Sequence, residues 1–182
     1  ADVIERALYN NVLGAMSLDG KRFFYVNPLE VWPEASDKNP GKFHVKPVRQ
    51  KWFACACCPP NIARLLTSLN KYIYSKNNNT VYIHLYIGGE AEIELENGKM
   101  LLNQHSRYPW DGNVKISVVS ESISPVSIAL RIPGWCGKWS ICVNGEKVNP
   151  EVVNGYANIE RVWHKNDEIE LEMEMPAEFI RS

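Results

Sequence analysis

Residues 167–176 read DEIELEMEMP, and this run decides one half of the fold. Ile169, Leu171, Met173 and Met175 alternate with Glu168, Glu170, Glu172 and Glu174. A period of two puts the apolar side chains on one face of a strand and the carboxylates on the other, the pattern of a sheet with one wet side. The same period recurs upstream. TVYIHLYI (80–87) places Val81, Ile83, Leu85 and Ile87 on one face. AEIELENGKM (91–100), NVKISVVSE (113–121), VSIALRIPGW (126–135) and WSICVNGEKV (139–148) continue the alternation. Asn97-Gly98 and Asn144-Gly145 are hairpin-type turn pairs. Roughly seven short strands separated by turns predict an antiparallel β-sandwich over residues 76–182.

Before about Ser75 the period changes. Residues 1–16 carry Val3, Ile4, Ala7, Leu8 and Val12 at helical spacing. Asp19-Gly20 signals a turn, and RFFYV (22–26) reads as a short extended run. Residues 33–50, rich in Pro, Lys and Asp, read as a surface loop. CACCPPNIARLLTSLNKYIYS (55–75) follows, with Ile62, Leu65, Leu66, Leu69 and Ile73 recurring every three or four residues. That spacing predicts an amphipathic helix beginning near Pro60, a residue suited to a first turn.

Composition excludes several function classes. With 182 residues, 45% of them hydrophobic, and a net charge of −1, the chain has no basic footprint for nucleic acid. No apolar run approaches the roughly 20 residues of a membrane span, and no stretch of this sequence reads as a signal peptide. The chain starts without an initiator Met in a helical pattern and stops after a strand-like run. It reads as a piece of a longer protein.

Three of the five cysteines, Cys55, Cys57 and Cys58, fall within four positions where a loop becomes a helix. An odd count leaves at least one without an intramolecular partner, and adjacent Cys57 and Cys58 would pair only with strain. Thiolate is the form that attacks carbon or binds zinc, and the positive end of a helix favours negative charge beside it. Zinc usually takes four ligands, with knuckles arriving in pairs, but here the cluster is C-x-C-C with no second one. Cys142 reads as an ordinary strand residue, and His44, the nearest histidine, lies in the loop. A metal site, a nucleophile and inert buried cysteines all stay open on spacing alone.

The combination ERALYNNVLGAMSLDGKRFFYVNPLE, KWFACACCPPNIARLL and LRIPGWC resembles glycoside hydrolase family 127, the β-L-arabinofuranosidase family. The resemblance spans nearly the whole chain. It implies a mixed α and β architecture, in which residues 1–75 are the last helices of an α/α toroid of six hairpins and residues 76–182 most of the sandwich that follows. It implies that Cys57 is the nucleophile and that Cys57 and Cys58 are zinc ligands, in a retaining mechanism through a thioglycosyl intermediate. It implies sugar contacts from Glu5 and Tyr25; on the residues alone, Glu5 could equally be a solvated helix carboxylate and Tyr25 a core side chain. Cys55 matches no ligand position, and Glu30 is taken as structural. The family's acid/base glutamate and its Glu-x-Cys zinc pair have no counterpart here, and both are expected upstream. The chain alone is therefore expected to be inactive, with zinc only half coordinated.

The expected partner is an arabinofuranoside-type carbohydrate, with no nucleic acid and no membrane. Uncovered apolar helix faces favour a homo-oligomer or association with the N-terminal part of the protein. Reduced cysteines with zinc favour the cytoplasm. The alternative is a non-catalytic carbohydrate-binding or structural β-sandwich. For that reading Trp110, Trp135, Trp139 and Trp163 are either a sugar platform or, as the preferred expectation, core residues at strand ends.

Overall fold

A computed structural model describes residues 1–55, 57–96 and 98–179. The chain divides into two compact units, Ala1–Leu69 and Asn70–Ser182.

The first unit is mostly short helices and loops. Helix α1 (Asp2–Arg6) runs into a π-helical turn, Ala7–Val12, and a 3₁₀ turn, Leu13–Ala15. The expected single helix over residues 1–16 is thus wound in three different ways. A π turn inserts an extra residue and rotates the stripe that follows. The buried face also differs from the expected one: Leu8 and Ala15 are buried, and on α1, ahead of the π turn, Glu5 is buried while Val3 and Ile4 are exposed. The run RFFYV contributes only isolated bridges, from Phe23 to Met16 and to Gln50. Arg49 ties the same region together, its guanidinium donating to the Gly14 carbonyl and lying 4.8 Å from the Phe24 ring centroid.

Two further corrections concern the loop and the helix. Residues 33–50 hold a short helix, α2 (Pro33–Lys38), and a 3₁₀ turn, Pro40–Lys42. Each opens on a proline, whose fixed φ suits a helix start and whose missing N–H costs nothing there. The amphipathic helix begins two residues earlier than expected, as α3 (Cys58–Thr67), and none of its residues is fully buried. Leu66 is exposed, and Ile62, Leu65 and Leu69 are half-buried.

The second unit opens with a single helical turn, α4 (Asn70–Ile73), which leads into the strands. Its strands are β1 (Tyr74–Asn77), β2 (Thr80–Ile83), β3 (Gly89–Leu95), β4 (Gly98–Ser106), β5 (Asn113–Val118), β6 (Val126–Arg131), β7 (Trp139–Val143), β8 (Glu146–Val148), β9 (Val152–Val153), β10 (Tyr156–Arg161) and β11 (Glu168–Met173). They form two sheets, ordered β1-β2-β6-β10-β9 and β3-β4-β5-β11-β7-β8. Pairing is antiparallel except between β2 and β6, which run parallel. The mixed architecture and the sandwich follow expectation, with more strands than the pattern predicts among the described residues.

One core fills the space between the sheets. Val81, Ile83, Ile128 and Leu130 enter it from one side and Leu102, Ile116, Ile141, Ile169 and Leu171 from the other. Strand β11 stops at Met173, so Met175 is exposed rather than inward-facing. Strand β2 ends at Ile83, and Leu85 and Tyr86 are buried beyond it. The four tryptophans divide. Trp163 is wholly buried, its indole N–H donating to the Val126 carbonyl at 2.9 Å. Trp135 and Trp139 are half-buried against the core, and Trp110 is 84% exposed, contrary to the core expectation. It sits in a loop, where no facing sheet covers it.

The Asn144-Gly145 turn joins β7 to β8 with φ of 52° and 79°, the paired positive values of a type I′ hairpin. The Asn97-Gly98 turn involves Asn97, which lies outside the described residues.

Candidate active site

The cysteines stand where the first unit's loop becomes α3. Ala54 adopts a left-handed backbone with φ of 56° just ahead of them, a conformation uncommon for a residue with a Cβ. Cys57 is the N-cap of α3 and Cys58 its first residue, followed by Pro59 and Pro60. Two prolines in the first turn remove N–H groups that would have had no helical partner, so the start is fixed at no cost in hydrogen bonds.

Asn61 and Arg64 lock this turn. The Asn61 backbone N–H donates to the Cys57 carbonyl at 3.2 Å, and its side-chain amide donates to the same oxygen at 2.9 Å. Arg64 in turn donates to the Asn61 side-chain oxygen at 2.8 Å. Neither residue was singled out from sequence. The available signal was their spacing of four and seven from Cys57, which places them on the helix face above it.

The Cys57 and Cys58 sulfurs are 3.7 Å apart. Cys57 is exposed and Cys58 half-buried. The Cys58 thiol reaches toward the Tyr25 carbonyl, 4.0 Å away. Negative charge on Cys57 first, and on Cys55 next, holds the Tyr25 phenol above its ordinary value of 10.0. Tyr25 itself is held by rings: His44 packs edge-on at 5.4 Å and Phe53 at 5.7 Å between centroids. Tyr25 is therefore a partly exposed side chain at the cysteines rather than a core residue.

Of the four site residues expected from sequence, Cys57, Cys58 and Tyr25 are thus brought together. Glu5 lies on α1 with its side chain buried, so it is not a solvated helix carboxylate. Glu30 is exposed. Cys55 is exposed, and all five cysteines are free thiols. Among the described residues no set of three or more His, Cys, Asp or Glu side chains is gathered as a metal cage.

Residues 1–71 match the family described as "Beta-L-arabinofuranosidase, GH127 catalytic domain", and residues 80–175 match "Beta-L-arabinofuranosidase, GH127 middle domain". The chain belongs to glycoside hydrolase family 127. The non-reducing end beta-L-arabinofuranosidase of Bifidobacterium longum subsp. longum is 40% identical over 190 residues. That alignment covers 100% of this chain and 28% of the relative, so the chain spans little more than a quarter of the relative's length. Among solved structures, a GH127 beta-L-arabinofuranosidase from Geobacillus stearothermophilus T6 superimposes with a TM-score of 0.88 at 49% identity, covering 100% of this chain and 29% of that one. A second GH127 beta-arabinofuranosidase gives 0.81 at 35% identity, over 96% and 28% of the two chains. Among the described residues no helix is long and apolar enough to cross a membrane.

Proposed function

We propose that this chain is the nucleophile-bearing part of a retaining glycoside hydrolase acting on arabinofuranosides, with Cys57 as the nucleophile. The observation that carries the reading is the pair of thiols 3.7 Å apart at the start of α3, with the more exposed one beside Tyr25. The Cys57 thiolate attacks the anomeric carbon as the bond to the leaving oxygen breaks, and a carboxylic acid protonates that oxygen. Water then displaces the sulfur at the same carbon, and two inversions give net retention. The acid/base carboxyl is assigned to a part of the protein outside this chain, so turnover is proposed for the larger protein and not for residues 1–182 alone.

The thiol pair suits zinc. Two sulfurs on one tetrahedral ion, with metal–sulfur bonds of about 2.3 Å, stand about 3.8 Å apart, close to the 3.7 Å found between Cys57 and Cys58. Bound zinc would hold sulfur as thiolate at neutral pH. Cys57 and Cys58 supply half of a tetrahedral set, and the remaining donors are assigned outside the chain. Asn61 and Arg64 fix the backbone from which the Cys57 sulfur projects. Glu5 and Tyr25 are proposed as sugar contacts, the carboxylate accepting from ring hydroxyls. Five free thiols suit a reducing compartment, the cytoplasm.

The test is iodoacetamide labelling of the chain beside a Cys57→Ser variant, with hydrolysis of an aryl arabinofuranoside by the larger protein. The expected result is one fast-labelling thiol that Cys57→Ser removes, together with loss of hydrolysis. Full hydrolysis by Cys57→Ser would overturn the proposal.

A further inference from the structure

The outer face of the sheet containing β4, β5, β7 and β11 carries a recess of about 380 Å³, within the range of small-molecule sites of about 300–1,000 Å³. Its floor is two cross-strand rows. In one, Cys142 pairs with Glu170, Glu170 with Lys115, and Lys115 with His105. In the other, Ser140 pairs with Glu172, which pairs with Asn113. The alternation that buries Ile169 and Leu171 turns these polar side chains outward. Lys115 is anchored by Glu168 at 2.7 Å, and Ser140 donates to Glu172 at 3.5 Å.

His105 and Asn113 lie at the ends of β4 and β5 that the 107–112 loop joins, and that loop carries Trp110. An indole 84% exposed is unusual on a monomeric surface. The loop that presents it is firmly held. The Trp110 N–H donates to the Arg107 carbonyl at 2.9 Å, Arg107 pairs with Asp111 at 3.4 Å, and Asp111 accepts from the Asn113 N–H at 3.1 Å. Tyr108 stacks on Trp135 with centroids 6.3 Å apart, and Gly112 is buried against β11.

We infer that this recess, whose His105 and Asn113 flank the loop that carries Trp110, is a saccharide-binding subsite built from residues other than those of the Cys57 site. Sugar hydroxyls both donate and accept, and the rows offer carboxylates beside an ammonium, an amide and a hydroxyl. A sugar also has a face of C–H groups that packs on an indole. Two carboxylates disfavour anions, the carboxylates, ammonium and amide set beside Val114, Leu171 and Cys142 disfavour a wholly apolar ligand, and no three-donor cation set exists there among the described residues. The inference does not rest on the nucleophile reading.

The test is two-dimensional ¹⁵N NMR of the chain titrated with arabinobiose, with inorganic phosphate and trilysine as charged controls. The expected result is a saturable shift of the Trp110 indole and of the Lys115 and Glu170 amides by arabinobiose alone. Trp110→Ala should weaken it about tenfold, and Glu170→Gln should weaken it severalfold. Both positions are exposed, so the fold should survive. Three outcomes would overturn the inference: shifts confined to Tyr25 and Cys57, no shift at saturating sugar, or a Trp110→Ala variant that loses self-association in sedimentation but binds sugar unchanged. Loss of hydrolysis in Cys57→Ser with these shifts intact would leave the inference standing.

Discussion

Gly112 lies so close to Met173 that a Cβ on it would come within 1.9 Å of the Met173 carbonyl oxygen. The Gly112 carbonyl accepts from the Met173 N–H at 3.0 Å. The loop after β4 and the end of β11 therefore meet backbone to backbone, with no flexible side chain able to give way. Gly112→Ala is expected to destabilise the second unit by about 3 kcal/mol and to disorder the Trp110 loop. Urea unfolding followed by tryptophan fluorescence checks this, and an unchanged midpoint would contradict the contact.

A second prediction concerns acid stability. Burial pushes the Asp167 carboxyl up, but it is outweighed by the His164 N–H, the Asn144 amide, Arg161 and His164, so the group sits below its ordinary 3.8. A depressed folded value contributes stability that is present above the unfolded value and lost as pH falls through the folded one. Asp167→Asn sets an amide donor against one of two donors, the Asn144 amide at 2.8 Å and the His164 N–H at 2.9 Å. It should cost about 1–2 kcal/mol near neutral pH. The gap in melting temperature from the parent should close as pH drops below 3.8. A gap that stays constant down to strong acid would mean the carboxylate charge is not what the turn uses.

Tyr74 offers the opposite case. Its hydroxyl is buried with no hydrogen-bond partner among the described residues, and burial pushes the phenol up to about 12. Removing an unsatisfied buried polar group is neutral or favourable. Tyr74→Phe should leave stability unchanged or raise it by about 1 kcal/mol. A loss of similar size in chemical denaturation would reveal a partner for the hydroxyl.

The proposed sugar contact of Glu5 can be tested apart from the proposed nucleophile. In the larger protein Glu5→Gln keeps the side chain's size at a buried position and is expected to lower kcat/KM at least about tenfold, the cost of one charged hydrogen bond. Iodoacetamide labelling of Cys57 should be unchanged. A labelling rate that falls in step with kcat/KM would instead mean that Glu5 acts by shaping the cysteine loop.

Asn61→Ala would remove the amide bond to the Cys57 carbonyl and leave Arg64 without its acceptor at that position. The expected outcome is slower Cys57 labelling with little change in global melting, because α3 has no fully buried residue and adds little to the core.

Alternation in DEIELEMEMP, the Asn144-Gly145 pair and the proline-led helix after Cys58 were all legible as sequence, because each depends on residues a few positions apart. Period two fixes which face of β11 is buried, and Asn and Gly are among the few residues that take the positive φ of a two-residue turn at low cost. The CCPPN run likewise announces thiols at a helix start. Tertiary structure alone decided that β2 and β6 pair in parallel, that the first helical segment winds through a π turn and buries Glu5 instead of Val3, and that Trp163 fills the core while Trp110 stands in solvent. It also decided that Tyr25, more than thirty residues before Cys57, lies against it. These outcomes depend on partners far apart in the chain, and local propensity carries no record of which segments meet.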